Sequence, residues 1–388
     1  MPEQRRTRGK TMPAASMDWS SLPPDLVSCV GEIFLSAGDV DSYMTSRAAC
    51  RSWRAATDDP CGLSRRFRPH RWVMLGDVSP NVGSSRLFLN LDTGRFLRKK
   101  LPLLNNCGYS YVGAADGLIL LEVNTVYGYD MCILNPFTGY TLRFPSDLKS
   151  RCLCSRVAVA EDATAPLVFL FIDYFTGVCY DPSNPRPRWF SAEPSQPNML
   201  VNVSSFQGRA YMADFGGSVK VVDCPRGHTN PKITTIIKRN RQIGRSFLVD
   251  NAGELLLVCD VQPSSTVGHP PYLLLVRRMY VFRVDLERKA LEPIESIGNR
   301  AIFLGLNHCL SVDASRLPAI QANCIYYYMV EGEKIRMYLY HLDDGSWELL
   351  TSPRHGPSSL AQVIFGYCRG RSNIMSGLVL KSRKLRLG

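Results

Sequence analysis

The sequence predicts a multidomain chain, a small all-α module followed by a large all-β domain that reads as a β-propeller of six or seven blades. Three observations carry this reading. Two helix signals, Trp19-Ser20-Ser21-Leu22-Pro23-Pro24-Asp25-Leu26 and Cys50-Arg51-Ser52-Trp53-Arg54, bracket a stretch long enough only for short helices. From Trp72 onward the pattern changes to strand-sized apolar runs separated by turn residues. Within that remainder, a turn with Asp or Asn ahead of Gly recurs about every forty residues, the period of a four-stranded blade.

The elements of the module follow in order. Pro23 and Pro24 stand where a helix begins, the place at which a missing N–H costs least, and Asp25 falls in the positive first turn. Leu22, Leu26, Val30 and Ile33/Phe34 then mark one apolar face at helical spacing. Gly31 interrupts that helix at a cost of about 1 kcal/mol relative to Ala. Gly38 is placed to end it, and Asp39 to cap a second helix through Val40, Tyr43 and Met44. A third, near Ala48 to Ala56, sets Cys50 and Trp53 on one face. Three such helices are too small to bury all of this apolar surface, so the exposed face is a candidate interface.

The chain has 388 residues, of which 45% are hydrophobic and 21% charged, a globular composition. No apolar run reaches the length of a membrane span; Leu167 to Ile172 and Tyr272 to Val276 are strand-sized. The N-terminus is basic and lacks an apolar core, so a secretory leader is not expected. Thirteen cysteines are scattered, and Cys132, Cys179, Cys259 and Cys324 sit in apolar runs, which reads as buried free thiols in a reducing compartment. Cys152 and Cys154 lack a second ligand pair, so no metal site is expected.

The net charge of +12 is concentrated. Arg5, Arg6, Arg8 and Lys10 lie at one end and Lys381, Arg383, Lys384 and Arg386 at the other. Arg65, Arg66, Arg68 and Arg71 read as a solvated linker. Blocks of this kind also serve nuclear import or weak nucleic-acid contact, but aromatics do not interleave with the basic ends, which argues against a single-strand binding platform, and nucleic acid is not the expected partner. The helical stretch is itself acidic. Met17 is an alternative start that would remove the first basic block.

In the large remainder, Arg86 to Leu91, Leu118 to Val123, Ser246 to Asp250, Glu254 to Asp260, Tyr280 to Asp285 and Ile335 to Leu342 read as strands. No long helical period follows Arg71. The recurring turn appears at Leu91 to Gly94, Leu134 to Gly139, Ile172 to Gly177, Val249 to Gly253 and Leu342 to Gly345. Gly supplies positive φ and Asp or Asn bonds the turn backbone. Calcium loops are disfavoured by the variable spacing and the lack of further acids.

Residues 19–56, with Leu-Pro-Pro-Asp-Leu and Ala-Ala-Cys-Arg-Ser-Trp-Arg, resemble an F-box. The resemblance implies docking onto Skp1, and through it a cullin, by Leu22, Pro23, Leu26, Val30, Ile33 and Phe34, with Cys50 and Trp53 completing the box. An ordinary N-terminal helical cap is the plainer alternative. Ala115-Asp116-Gly117-Leu118-Ile119, Ile133 to Gly139 and Phe303-Leu304-Gly305-Leu306-Asn307-His308-Cys309 resemble the plant F-box-associated propeller domain catalogued as DUF 295. That implies a kelch-like propeller in a plant F-box protein. The layout expected is a basic flexible tail over 1–16, an F-box over 17–60, a basic linker over 61–71, the propeller over 72–375 and a basic tail over 376–388. Within the propeller motif His308 is read as a satisfied core histidine, with a ligand-facing role as the sharper alternative.

Phosphate-loop, zinc-helix and nucleophile-elbow motifs are absent from the sequence. No catalytic residue, cofactor or metal is assigned. The expected function is a non-catalytic substrate-recognition adaptor of a Skp1–cullin–F-box ubiquitin ligase, cytoplasmic or nuclear, holding an unknown protein target. The alternative is a propeller that binds or processes a small molecule or glycan.

Overall fold

The computed structural model describes residues 19–75, 85–126, 128–145, 156–161, 166–172, 176–182, 184–191, 200–225, 230–239, 245–261, 278–305, 307–331, 334–350 and 359–369. The two basic tails, Met17, Cys152, Cys154 and the Tyr272 to Val276 run lie outside them. Two compact units divide the chain, Met1–Pro60 and Cys61–Gly388.

In the first unit, α1 (Pro24–Ser36), α2 (Val40–Ala49) and α3 (Arg51–Ala55) form in the expected order. The end of α1 is fixed by Gly38 at φ +68°, which lets Gly38 N donate to Leu35 O and Asp39 N donate to Phe34 O. Asp39 then caps α2, its side chain accepting from Ser42 N at 3.1 Å. Gly31 has a packing reason as well as a propensity cost. A Cβ there would come within 3.1 Å of both Thr57 and the Tyr43 ring, so the missing side chain lets α1 approach them closely.

The second unit is a six-bladed propeller. Blade 1 holds β1 (Trp72–Leu75), β2 (Ser85–Asn90) and β3 (Phe96–Lys100). Blade 2 runs β4 (Tyr109–Ala115), β5 (Leu118–Thr125), β6 (Gly128–Leu134) and β7 (Thr141–Phe144). Blade 3 follows with β8 (Arg156–Ala160), β9 (Leu167–Phe171), β10 (Thr176–Asp181) and β11 (Asn184–Ser191). Blade 4 comprises β12 (Leu200–Phe206), β13 (Arg209–Asp214), β14 (Val219–Asp223) and β15 (Lys232–Ile237). Blade 5 has β16 (Ser246–Asn251), β17 (Glu254–Val261), β18 (Arg278–Asp285) and β19 (Ala290–Ile294). Blade 6 contains β20 (Arg300–Leu304), β21 (Cys309–Asp313), β22 (Cys324–Glu331), β23 (Lys334–His341) and β24 (Trp347–Leu350).

Each core cluster is a seam between neighbouring blades. Leu256 and Val258 of β17 pack toward blade 6, while Leu255, Leu257 and Cys259 pack toward blade 4. A strand buried on both faces shows a continuous apolar run, because its period-2 alternation divides two interiors rather than inside from outside. Cys132, Cys179, Cys259 and Cys324 lie in these interiors as buried free thiols.

The recurring Asp/Asn–Gly turn proves to be two devices. At the outer hairpins, Asn90 accepts from Asp92 N and Thr93 N, and Asn135 accepts from Phe137 N and Thr138 N, with Gly94 and Gly139 at positive φ. At the inner hairpins, Asp116-Gly117, Gln207-Gly208 and Ala252-Gly253 each carry two consecutive positive φ values, the two-residue turn that matches strand twist.

Two expectations need correction. The segment 61–71, read as a basic linker, belongs to the propeller unit. Arg68 is fully buried and donates to Leu63 O at 2.8 Å, Asp116 Oδ2 at 2.6 Å and Glu161 Oε1 at 2.5 Å. Arg71 pairs with Asp92 at 2.7 Å and Asp250 at 3.4 Å. These arginines meet carboxylates distant in sequence, so a local charge count misreads them. The second correction is a helix after the strands, α4 (Leu360–Arg369). Blade 6 has five strands, with β20 antiparallel to β21 and parallel to β22. Ala361, Ile364, Phe365 and Cys368 of α4 enter the seam between blades 6 and 1. Cys368 O accepts from Asn307 N and His308 N at 3.3 and 3.1 Å. Gly305 permits this, since a Cβ there would lie within van der Waals radii of Cys368 O. The ring is therefore closed by a helix hooked onto the β20–β21 turn.

Candidate docking face and central channel

In the helical module, α1 presents two stripes. Val27 and Gly31 face inward and are buried. Leu26 and Ile33 point out, 53% and 65% exposed, with Val30 half-buried between them at the four- and three-residue spacing of one helix face. Leu22 and Phe34 are half-buried and Pro23 is exposed. The residues predicted from α1 thus form a partly open apolar strip.

The other two predicted residues work differently. Cys50 is a cap, its sulfur accepting from Trp53 N at 3.5 Å. Trp53 Nε1 donates to Trp19 O at 2.9 Å, and Ser52 Oγ donates to Ser20 O at 3.1 Å. The two sequence signals are joined in space by this clasp. Sequence reasoning did not single out the supporting bonds from Tyr43 Oη to Asp58 O at 2.6 Å and from Arg47 Nη1 to Thr57 O at 2.6 Å. Only a long polar side chain near a helix end could have hinted at them.

In the propeller, β4, β8, β12, β16 and β21 neighbour one another around a central cavity of ≈ 480 Å³. At the end where β4, β12 and β16 finish, charges are already paired. Asp116 Oδ1 lies 2.6 Å from His70 Nδ1, while His70 Nε2 lies 2.7 Å from Arg65 O. Burial pushes the Asp116 carboxyl up, but His70 and Arg68 outweigh it and hold the group below the usual carboxylate range. Asp92 behaves alike: burial raises it, and Arg71 and Arg300 bring it lower. These acids are structural counter-ions held ionised, unsuited to proton transfer near neutrality.

Toward the other end, the described residues that line the cavity are uncharged. Asn202 donates to Cys309 Sγ at 3.4 Å, which aligns the start of β21 with the start of β12. His308, one residue earlier, stacks on Tyr367 of α4 with ring centroids 4.7 Å apart and planes at 18°. Burial pushes its imidazole down to about 4, so it is neutral at neutral pH. The expectation of a satisfied core histidine is half right. The ring is half-buried and lines the cavity, and among the described residues no hydrogen bond reaches its nitrogens. Groups of three or more His, Cys, Asp or Glu able to hold a metal ion are absent among the described residues.

A family model described as the KIB1-4 beta-propeller matches residues 88–351, more than half of the chain. The chain belongs to that family. It is also similar to an F-box protein of Arabidopsis thaliana, At2g17036, with 23% identity over 334 residues that cover 74% of this chain and 78% of the relative. The two comparisons support the reading of a plant F-box protein with a propeller domain. Among solved structures, the tricorn protease is 12% identical over 72% of this chain, at a TM-score of 0.34. This chain covers 31% of that protease. TolB from Acinetobacter baumannii is 11% identical over 73% of this chain and 64% of its own, at a TM-score of 0.35. Both are distant likenesses.

Proposed function

We propose that the chain is a substrate-recognition adaptor of a Skp1–cullin–F-box ubiquitin ligase. Its helical module docks on a Skp1-type adaptor, and its propeller holds a protein target in a cytoplasmic or nuclear setting. The observation that carries this reading is the outward strip of α1, Leu26 and Ile33 above all, on a module whose inner stripe is already buried. Leu22, Pro23, Val30 and Phe34 extend the strip. Cys50 and Trp53 hold the helices that present it. The chain itself makes and breaks no bonds in this reading. Its contribution is effective concentration, bringing target and ubiquitin-bearing enzyme into one assembly.

A few buried apolar anchors dominate such interfaces, so a double charge substitution on the strip should remove binding altogether. The full chain carrying Leu26→Asp and Ile33→Asp is expected to lose co-purification with a Skp1-type adaptor by about a hundredfold or more. Its thermal unfolding should match the wild type, since exposed positions contribute within about 0.5 kcal/mol. Retained co-purification by a folded double variant would remove the docking face from the account.

A further inference from the structure

The paired mouth of the channel leaves its opposite end with a distinct chemistry. The β20–β21 turn is locked by its backbone, because Asn307 N and His308 N both donate to Cys368 O. Their side chains are left to the cavity, which they line together with Ser204, midway along β12. Among the described residues, no hydrogen bond reaches the His308 ring, the Asn307 carboxamide or the Ser204 hydroxyl. All three residues are half-buried, and several polar groups converging in one cavity beside apolar wall are the usual form of a small-molecule site.

The kind of ligand follows from the groups. A neutral imidazole offers one donor and one acceptor, a carboxamide both, and a hydroxyl both. Hydroxyl groups match all three in either direction. Charge is disfavoured. Among the described lining residues, the charged side chains Arg65, Arg71, Asp92, Asp116 and Asp250 belong to the paired mouth, so a charged head beside His308 would lose its water without a counter-ion from the wall. The charged residues of the far mouth are engaged with one another through Arg71, Asp92 and Asp250. Val203, Leu248 and Leu310 provide apolar wall for C–H faces. A cavity of ≈ 480 Å³ lies within the range of small-molecule sites.

We propose that the end of the central cavity around His308, Asn307 and Ser204 binds an uncharged, polyhydroxylated small molecule of monosaccharide size. The site is built from residues of the second unit and the docking strip from residues of the first, so loss of either reading is told apart from loss of the other.

The test uses the full chain with myo-inositol and D-glucose as uncharged probes and inositol hexakisphosphate as the charged counterpart. Binding is read by calorimetry and by NMR of the His308 ring. At least one uncharged probe should shift the His308 resonances saturably. In His308→Phe, which keeps a ring on Tyr367 and removes both nitrogens, affinity should fall about tenfold, the equivalent of one or two neutral hydrogen bonds. In Ser204→Ala it should fall several-fold. Should His308→Phe fail to fold, the wild-type resonances and Ser204→Ala decide the matter. The proposal is overturned if neither uncharged probe perturbs His308, if affinity is unchanged in the folded variants, or if only the hexakisphosphate binds.

Discussion

Helix α1 and strand β17 are both apolar, but they spend that character in opposite ways. In β17, Leu255, Leu256, Leu257 and Val258 are all buried, because successive side chains enter two different blade seams. In α1, Val27 and Gly31 are buried while Leu26 and Ile33 remain largely exposed. Between its ends β17 has no outward face, whereas α1 keeps one. The module is held in part by polar clasps, Trp53 to Trp19, Ser52 to Ser20 and Tyr43 to Asp58. Its outer apolar strip is therefore not needed for internal packing. Substitutions should separate the two regions: in the propeller they cost stability, and on the strip they cost binding.

The largest stability effect is expected at the buried strap. Arg68→Ala removes the cation shared by Asp116 and Glu161 and should destabilise the chain by about 3 kcal/mol, toward the lower end for a broken buried pair because Glu161 is partly exposed. Urea unfolding checks this, and an unchanged midpoint would mark 61–71 as peripheral after all. A smaller loss, about 2 kcal/mol, is expected for Gly305→Ala, which forces Cys368 O away from the β20–β21 turn. Limited proteolysis within α4 should accelerate in the same variant. A wild-type rate would show that the helix does not depend on this contact.

Acid should act more mildly and on the propeller. Asp116 and Asp92 are held below their ordinary value of 3.8 in the folded chain. Their contribution is therefore complete above the unfolded value and disappears as pH falls through the lower folded values. Melting temperature should decline as pH drops below about 4, with a shallower decline in Asp116→Asn. Equal slopes for the two proteins would show that Asp116 is not a source of the acid sensitivity.

Much of this fold is legible in the chain. The continuous runs of β5, β9 and β17 announce strands buried on both faces, and positive-φ pairs such as Asp116-Gly117 announce tight hairpins. Pro23, Gly38 and Asp39 mark the ends of α1 and the start of α2 because caps are local chemistry. What stays hidden depends on distant partners. Arg68 looks like one of four solvated cations until Asp116 and Glu161 are beside it. Leu360, Ile364, Tyr367 and Cys368 do have helical spacing, but the run is short and follows a long series of strands. The parallel pairing of β20 with β22 is unreadable, since a hairpin such as β20–β21 has the same pattern in any sheet position. His308 shows why residue type alone misleads. Its ring stacks on Tyr367 as a core residue would, while its nitrogens have no hydrogen-bond partner among the described residues and the ring lines a cavity.

The contrast between an open strip and closed seams is tested most directly by hydrogen–deuterium exchange of the full chain with and without a Skp1-type adaptor. The account predicts added protection over Pro24–Ser36 and unchanged exchange in β4, β8, β12 and β16. Protection confined to the propeller, with α1 unchanged, would contradict it.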